Sequence, residues 1–235
     1  MKTKQTIQKV AVVGSGIMGS RIACHMANIG LDVLLLDIAP FKLSDAEEKA
    51  GLSLEHPKVK NRIVNDSLKA TLKSKPASLY KKDFINRVST GNLTDDFEKI
   101  DDADWIIEVV VERLDIKKQV FEKIEKFRKE GSIVSSNTSG IPIHMMVEER
   151  SEDFKSHFLG THFFNPPRYL ELLEIIPTPH THQDIVDFMM DFGDRHLGKT
   201  TVLCKDTPAF IANRVGVAGI LSLFHLVEKR GLSVE

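Results

Sequence analysis

The sequence predicts a doubly wound α/β fold with a mostly parallel sheet. Three observations carry this: short β-branched runs that do not alternate apolar with polar, helical spacings between them, and a glycine-rich turn joining the first such pair. Residues 10–13 are a β-branched run, 17–29 have helical spacing, and 32–37 (DVLLLD) are again continuously apolar, so the chain opens with a βαβ unit. The pattern resumes with a strand at 105–111, an amphipathic helix at 116–127 and a strand at 132–137. Strands at 158–164 and 172–176, a helix at 185–196 and a strand at 201–204 follow. Unbroken apolar runs of this kind are expected of parallel strands covered on both faces.

Two segments break the alternation. Residues 40–87 form a long insertion with two helical patterns and no obvious strand. Its part from His56 to Arg87 carries nine basic residues, Lys58, Lys60, Lys69 and Lys73 among them, against Asp66 and Asp83. That surface is either a solvated helical face or a landing surface for a phosphorylated ligand. The second segment begins at Asp206-Thr207-Pro208 and runs to Glu235 as one long helix, apolar almost all round, which implies burial. Either another chain covers this helix or the sequence is part of a longer protein.

Composition narrows the function classes. The 235 residues, 42% hydrophobic and 28% charged, suit a globular chain with a sizeable core. A formal net charge of -1 argues against bulk binding to nucleic acid or an anionic membrane, which leaves a small molecule as the expected partner. The start, MKTKQTIQKV, lacks an apolar core of signal-peptide length, and no segment reaches the roughly 20 apolar residues of a membrane span. Cys24 and Cys204 lie far apart with no metal-ligand spacing, so plain buried thiols in the cytosol are expected, without a metal.

The first chemistry lies in VAVVGSGIMGSRIA. Gly14, Gly16 and Gly19 follow a strand and open a helix in the G-x-G-x-x-G arrangement, with Ile17 and Met18 in its first turn. The first glycine permits the tight turn, the second lets a diphosphate approach the backbone, and the third lets helix and strand pack closely. Asp37 closes the second strand 18 residues after Gly19, where its carboxylate can accept ribose hydroxyls. A 2′-phosphate within about 4 Å of that carboxylate would meet repulsion of up to about 4 kcal/mol per charge pair at an effective dielectric near ~20. NAD is therefore expected over NADP.

The second chemistry lies in GTHFFNPPRYLELLEII. His162 sits inside an apolar strand that Pro166 and Pro167 stop, and Glu174 lies inside the next one. Buried ionisable groups are costly unless paired, so both residues need an explanation.

With these runs the chain resembles the NAD-dependent L-3-hydroxyacyl-CoA dehydrogenases of fatty-acid β-oxidation, and most closely the dehydrogenase part of bacterial multifunctional β-oxidation proteins. The resemblance covers essentially all 235 residues through the glycine loop, IIEVVVERLDIKK, SSNTSG, the HFFNP run and KDTPAFIANR, in that order. It implies a Rossmann-type NAD-binding domain over residues 1–205, with the helical insertion at about 40–87. Residues 206–235 would be the truncated start of an all-helical domain that dimerises. It implies oxidation of 3-hydroxyacyl-CoA to 3-oxoacyl-CoA with His162 as the base and Glu174 as its partner.

Other roles carry over residue by residue. Ser139 matches a serine on the substrate's C3 oxygen, Asn213 an asparagine reaching the same region, and Asn165 a support of the substrate pocket. Glu112 and Lys117 match a polar pair beside the cofactor, and Asn137 lies in the nicotinamide-side loop. Lys58, Lys60, Lys69 and Lys73 would add diffuse attraction for the CoA phosphates. Ser139 and Asn137 also read as plain turn or cap residues. Arg21 stands where the family often has glycine. A non-catalytic NAD-binding relative, or a different NAD-dependent hydroxyacid dehydrogenase, would share the glycine loop but have no need of the His162 and Glu174 pair.

Overall fold

The computed structural model describes residues 6–233. The first five residues of the leader segment and Val234-Glu235 at the end of the expected long helix lie outside the described residues. Eight strands form one sheet: β1 (Lys9–Val13), β2 (Asp32–Asp37), β3 (Val88–Asn92), β4 (Trp105–Glu108), β5 (Ile133–Ser136), β6 (Phe158–Phe163), β7 (Leu172–Pro177) and β8 (Thr200–Leu203). Their spatial order is β3-β2-β1-β4-β5-β6-β7-β8. The six from β3 to β6 are parallel, β6 and β7 pair antiparallel, and β8 is parallel to β7. The antiparallel step follows from chain length, since only residues 164–171 separate β6 from β7. A parallel return needs a crossover of a dozen or more residues.

Helices cover both faces. Val10 and Val12 pack with α1 (Ile17–Asn28) and α7 (Gln183–Arg195) on one side, while Ala11 and Val13 pack with α5 (Leu114–Phe127) on the other. The insertion holds α2 (Asp45–Lys49), α3 (Pro57–Lys60) and α4 (Arg62–Lys73), and α6 (Glu152–Ser156) precedes β6. In α4 the buried residues Val64, Leu68 and Thr71 recur at helical spacing and seat it on the core.

Four expectations change. The edge strand β3, of sequence VSTGN, was hidden by its small polar residues. The strand expected at 105–111 stops at Glu108, where its pairing with β1 runs out at Val13. The long helix, α8, spans Ala212–Lys229, because Ala209 and Phe210 before it adopt positive φ of 63° and 44°. None of its residues is buried, so the burial expected from its apolar surface is not met within the described residues.

Within α1, His25 is 2% exposed; its Nε2 bonds Leu197 O at 3.1 Å and its Nδ1 has no partner. Burial, aided by the nearby Lys199, lowers its pKa from 6.5 to about 4. Between these values the unfolded chain binds more protons than the folded one, so this group removes stability as pH falls through that window. Urea unfolding of the wild type and His25→Gln between pH 4 and 7 should show a steeper loss below pH about 6.5 in the wild type. Parallel curves would contradict this origin.

Candidate active site

The site lies along the carboxyl ends of the parallel strands, where open α/β sheets place ligands. Its first part is the turn from β1 into α1. Gly14 has φ 107°, and a side chain there would meet Val109 O at 2.5 Å. A Cβ on Gly19 would sit 1.8 Å from Gly14 O, so the third glycine lets the helix lie against the turn. Around Gly16, the residue before α1, a Cβ would meet nothing within 4 Å. That open space fits a diphosphate held by the backbone N–H groups of the helix start. Ile17 is 69% exposed at this opening, whereas Met18 packs on the core.

Asp37 ends β2 beside this turn. Its Oδ2 accepts Ser15 N at 2.7 Å and Ser15 Oγ at 2.5 Å, and Oδ1 accepts Ile38 N at 2.7 Å. A carboxylate offers about four lone-pair sites, so a ribose hydroxyl can still be accepted, and rotation of the Ser15 hydroxyl frees another. The carboxylate thus braces the glycine turn.

Glu108, missed in the sequence, anchors the next part. It ends β4, is fully buried, and receives Lys117 Nζ at 2.7 Å, Val110 N at 2.7 Å and Ser136 Oγ at 2.5 Å. Burial pushes its carboxyl pKa up, against the opposing pull of the Lys117 ammonium and the other donors. Lys117, 1% exposed, also approaches Glu112 Oε2 at 3.4 Å. Partial burial works to raise the Glu112 carboxyl, but the Thr138 hydroxyl, Lys117 and Ser139 N–H together hold it below its ordinary range. Glu112 thereby fixes the loop after β5, accepting Thr138 Oγ1 and, at 3.0 Å, Ser139 N. Asn137 in the same loop accepts Phe163 N at 2.9 Å, tying the loop to β6. A lone acid closing an all-apolar strand was the available signal for Glu108.

His162 and Glu174 face each other across the antiparallel β6 and β7 register. His162 is 4% and Glu174 1% exposed, and Nδ1 bonds Oε2 at 2.7 Å. The rings of Phe164 and Phe210 lie 4.4 and 5.8 Å from the imidazole centroid. The other carboxylate oxygen, Oε1, accepts Ile211 N at 3.0 Å and Ala212 N at 2.8 Å at the start of α8. Nδ1 is engaged, which leaves Nε2 as the atom able to take a proton.

Asn213 Nδ2 donates to Ser139 O at 3.1 Å, so the structure brings those two expected residues together. Asn165, exposed beyond β6, accepts from Arg21 Nη1. Of the four lysines, Lys58, Lys69 and Lys73 are exposed, but Lys60 is bound to Glu55 at 2.7 Å and Asp95 at 3.0 Å. Lys60 is therefore corrected to a structural ion pair with little free charge for a ligand. Both cysteines are buried, and burial raises each thiol to about 12. Among the described residues no helix is long and apolar enough to cross a membrane, and no cluster of metal-binding side chains occurs.

Residues 9–207 match the family described as 3-hydroxyacyl-CoA dehydrogenase, NAD binding domain. The chain is 55% identical over 228 residues to the "Probable 3-hydroxyacyl-CoA dehydrogenase" of Bacillus subtilis (strain 168), covering 97% of this chain and 29% of that protein. It is 33% identical over 232 residues to the mitochondrial hydroxyacyl-coenzyme A dehydrogenase of Homo sapiens, covering 99% of this chain and 70% of that one. Among solved structures, (S)-3-hydroxybutyryl-CoA dehydrogenase from Ralstonia eutropha superposes with a TM-score of 0.73 at 28% identity, over 97% of this chain and 74% of that one.

The glycine geometry yields a contrast. Gly19→Ala should lower Tm by more than about 4 °C, as overpacking against backbone does. Gly16→Ala should lower it by less than about 2 °C while weakening NADH binding, because its side chain enters the space open to the ligand. Thermal melts and NADH titrations of both variants check this, and equal losses of Tm would contradict it.

Proposed function

Because the chain belongs to the 3-hydroxyacyl-CoA dehydrogenase family, we propose that it supports oxidation of (S)-3-hydroxyacyl-CoA to 3-oxoacyl-CoA with NAD in fatty-acid β-oxidation. The observation that carries this reading is the buried 2.7 Å bond between His162 Nδ1 and Glu174 Oε2. A histidine held through one ring nitrogen by a buried carboxylate is an oriented base, and it lies at the ligand end of the sheet.

The geometry supports this course for the reaction. His162 Nε2 takes the proton of the C3 hydroxyl, and the Glu174 carboxylate stabilises the imidazolium that results. NAD, when bound, supplies the acceptor for the hydride that leaves C3. The backbone of Gly14, Gly16 and Gly19 with Ile17 and Met18 would hold its diphosphate side, Asp37 its adenine ribose, and Glu112, Lys117 and Asn137 its nicotinamide side. The charge on Asp37 opposes a 2′-phosphate, which favours NAD over NADP. The Ser139 hydroxyl and the Asn213 amide would hold the C3 oxygen, with Asn165 supporting the pocket. Lys58, Lys69 and Lys73 would add a diffuse, salt-sensitive pull on the CoA phosphates.

Residues 1–205 would form the nucleotide-binding unit and 206–235 the opening of a helical domain. The exposed apolar residues of α8, Ile220, Leu223 and Phe224 among them, fit coverage by further helices of such a domain or by a second copy.

His162→Gln should lower turnover in acetoacetyl-CoA reduction by about 10²- to 10⁴-fold, the usual worth of a positioned acid or base. NADH affinity should stay within about twofold, because the glycine turn is untouched. Steady-state rates and a fluorescence titration test both halves. Wild-type turnover in the variant would remove His162 from the reaction.

A further inference from the structure

Arg21 lies in the second turn of α1 and reaches the loop that follows the catalytic strand. Its Nη1 donates to Asn165 Oδ1, a contact between residues 144 apart in the chain. Beyond Asn165 this loop is held from other directions. Arg168 Nη1 donates to Ala77 O at 2.7 Å and Leu79 O at 2.8 Å, which fixes it to the insertion. The buried Lys199 ammonium donates to Pro167 O and, at 2.8 Å, to Leu170 O, which fixes it from the turn before β8. The Asn165 end is tied instead to the helix that begins at the glycine turn. A cavity of about 280 Å³ lies at this junction, with Ser15 and Gly16 on one side and Ser67 and Thr71 of α4 and the following Ser74 on the other. Among the described residues Arg21 is its one charged lining residue.

We infer that Arg21 is a positioning residue that couples the two ligand sites. This rests on the reading under Proposed function. A helix is stiff over one turn, so the position of the Arg21 backbone follows that of Gly16, where the nucleotide binds. A guanidinium offers five donors in a fixed planar fork, so it can hold the Asn165 amide in one direction only while facing the cavity. Ordering the glycine turn with a nucleotide thus also orders the loop after His162, and an acyl thioester bound against that loop then binds to a segment already in place. Such coupling is reciprocal: each ligand strengthens the other by the same factor.

The test is a titration of NADH into the 235-residue chain, read by NADH fluorescence, with and without saturating (S)-3-hydroxybutyryl-CoA, a reduced partner with which NADH cannot react. The ratio of the two dissociation constants measures the coupling. In the wild type it should be about fivefold or more, the low end of ordinary allosteric coupling. In Arg21→Ala it should fall to within about twofold, with NADH affinity in the absence of (S)-3-hydroxybutyryl-CoA changed less than about threefold. Alanine has the highest helix propensity, so α1 is retained, and a melt confirms it. Arg21→Lys, which keeps a charged donor, should recover part of the ratio. A wild type that binds NADH with a ratio near one, or an Arg21→Ala chain with an unchanged ratio, overturns the inference and leaves the proposed function standing. A wild type that fails to bind NADH overturns both.

Discussion

One carboxylate holds the site together. Glu174 is 1% exposed, and its charge is met by three donors: His162 Nδ1 on one oxygen, and the amides of Ile211 and Ala212 on the other. Leaving a buried polar group without one of its hydrogen-bond partners typically costs about 1–3 kcal/mol, and more for a charged group, because its desolvation is then not offset. The antiparallel register of β6 and β7 puts His162 opposite Glu174, and the positive φ of Ala209 and Phe210 turns the start of α8 back toward the same carboxylate. The orientation of the imidazole and the position of α8 are thereby set by a single group.

A second buried acid does the same for the neighbouring strands. Glu108 holds Lys117, Lys117 approaches Glu112, and Glu112 fixes the Ser139 backbone, whose carbonyl meets Asn213 at the start of α8. The two networks therefore meet at the first turn of α8, one through Glu174 and one through Asn213. Glu108, Lys117 and Glu174 lie in dry surroundings, where fixed dipoles act more strongly than in water. Glu108 projects from the parallel strand β4 and Glu174 from β7, whose antiparallel pairing with β6 sets it opposite His162.

Much of this was legible in the sequence because the signals were local. Continuous apolar runs marked the buried strands, the glycine spacing marked the first turn, and a histidine and a glutamate in apolar strands stood out as buried ionisable groups that the family resemblance then paired. The same question asked of Glu108, an acid closing WIIE, would have found its lysine nine residues on. What local pattern could not carry was tertiary. VSTGN forms a strand because β2 pairs with it, despite its small polar residues. Lys60 loses its free charge to Asp95, 35 residues away. Arg21 gains its role from Asn165 across the site. The apolar surface of α8 was read as burial, yet hydrophobic periodicity reports a preference for cover and cannot name the surface that provides it.

The central claim is that Glu174 fixes which nitrogen of His162 carries the proton. The direct measurement is ¹⁵N NMR of the imidazole in its neutral form, comparing the wild type with Glu174→Gln. The account predicts a wild-type ring protonated at Nδ1, with a strongly deshielded proton from the bond to Glu174 and Nε2 bare toward the substrate. In Glu174→Gln that deshielded signal should be lost. A wild-type ring protonated at Nε2, or the same Nδ1 proton signal in Glu174→Gln, would contradict it.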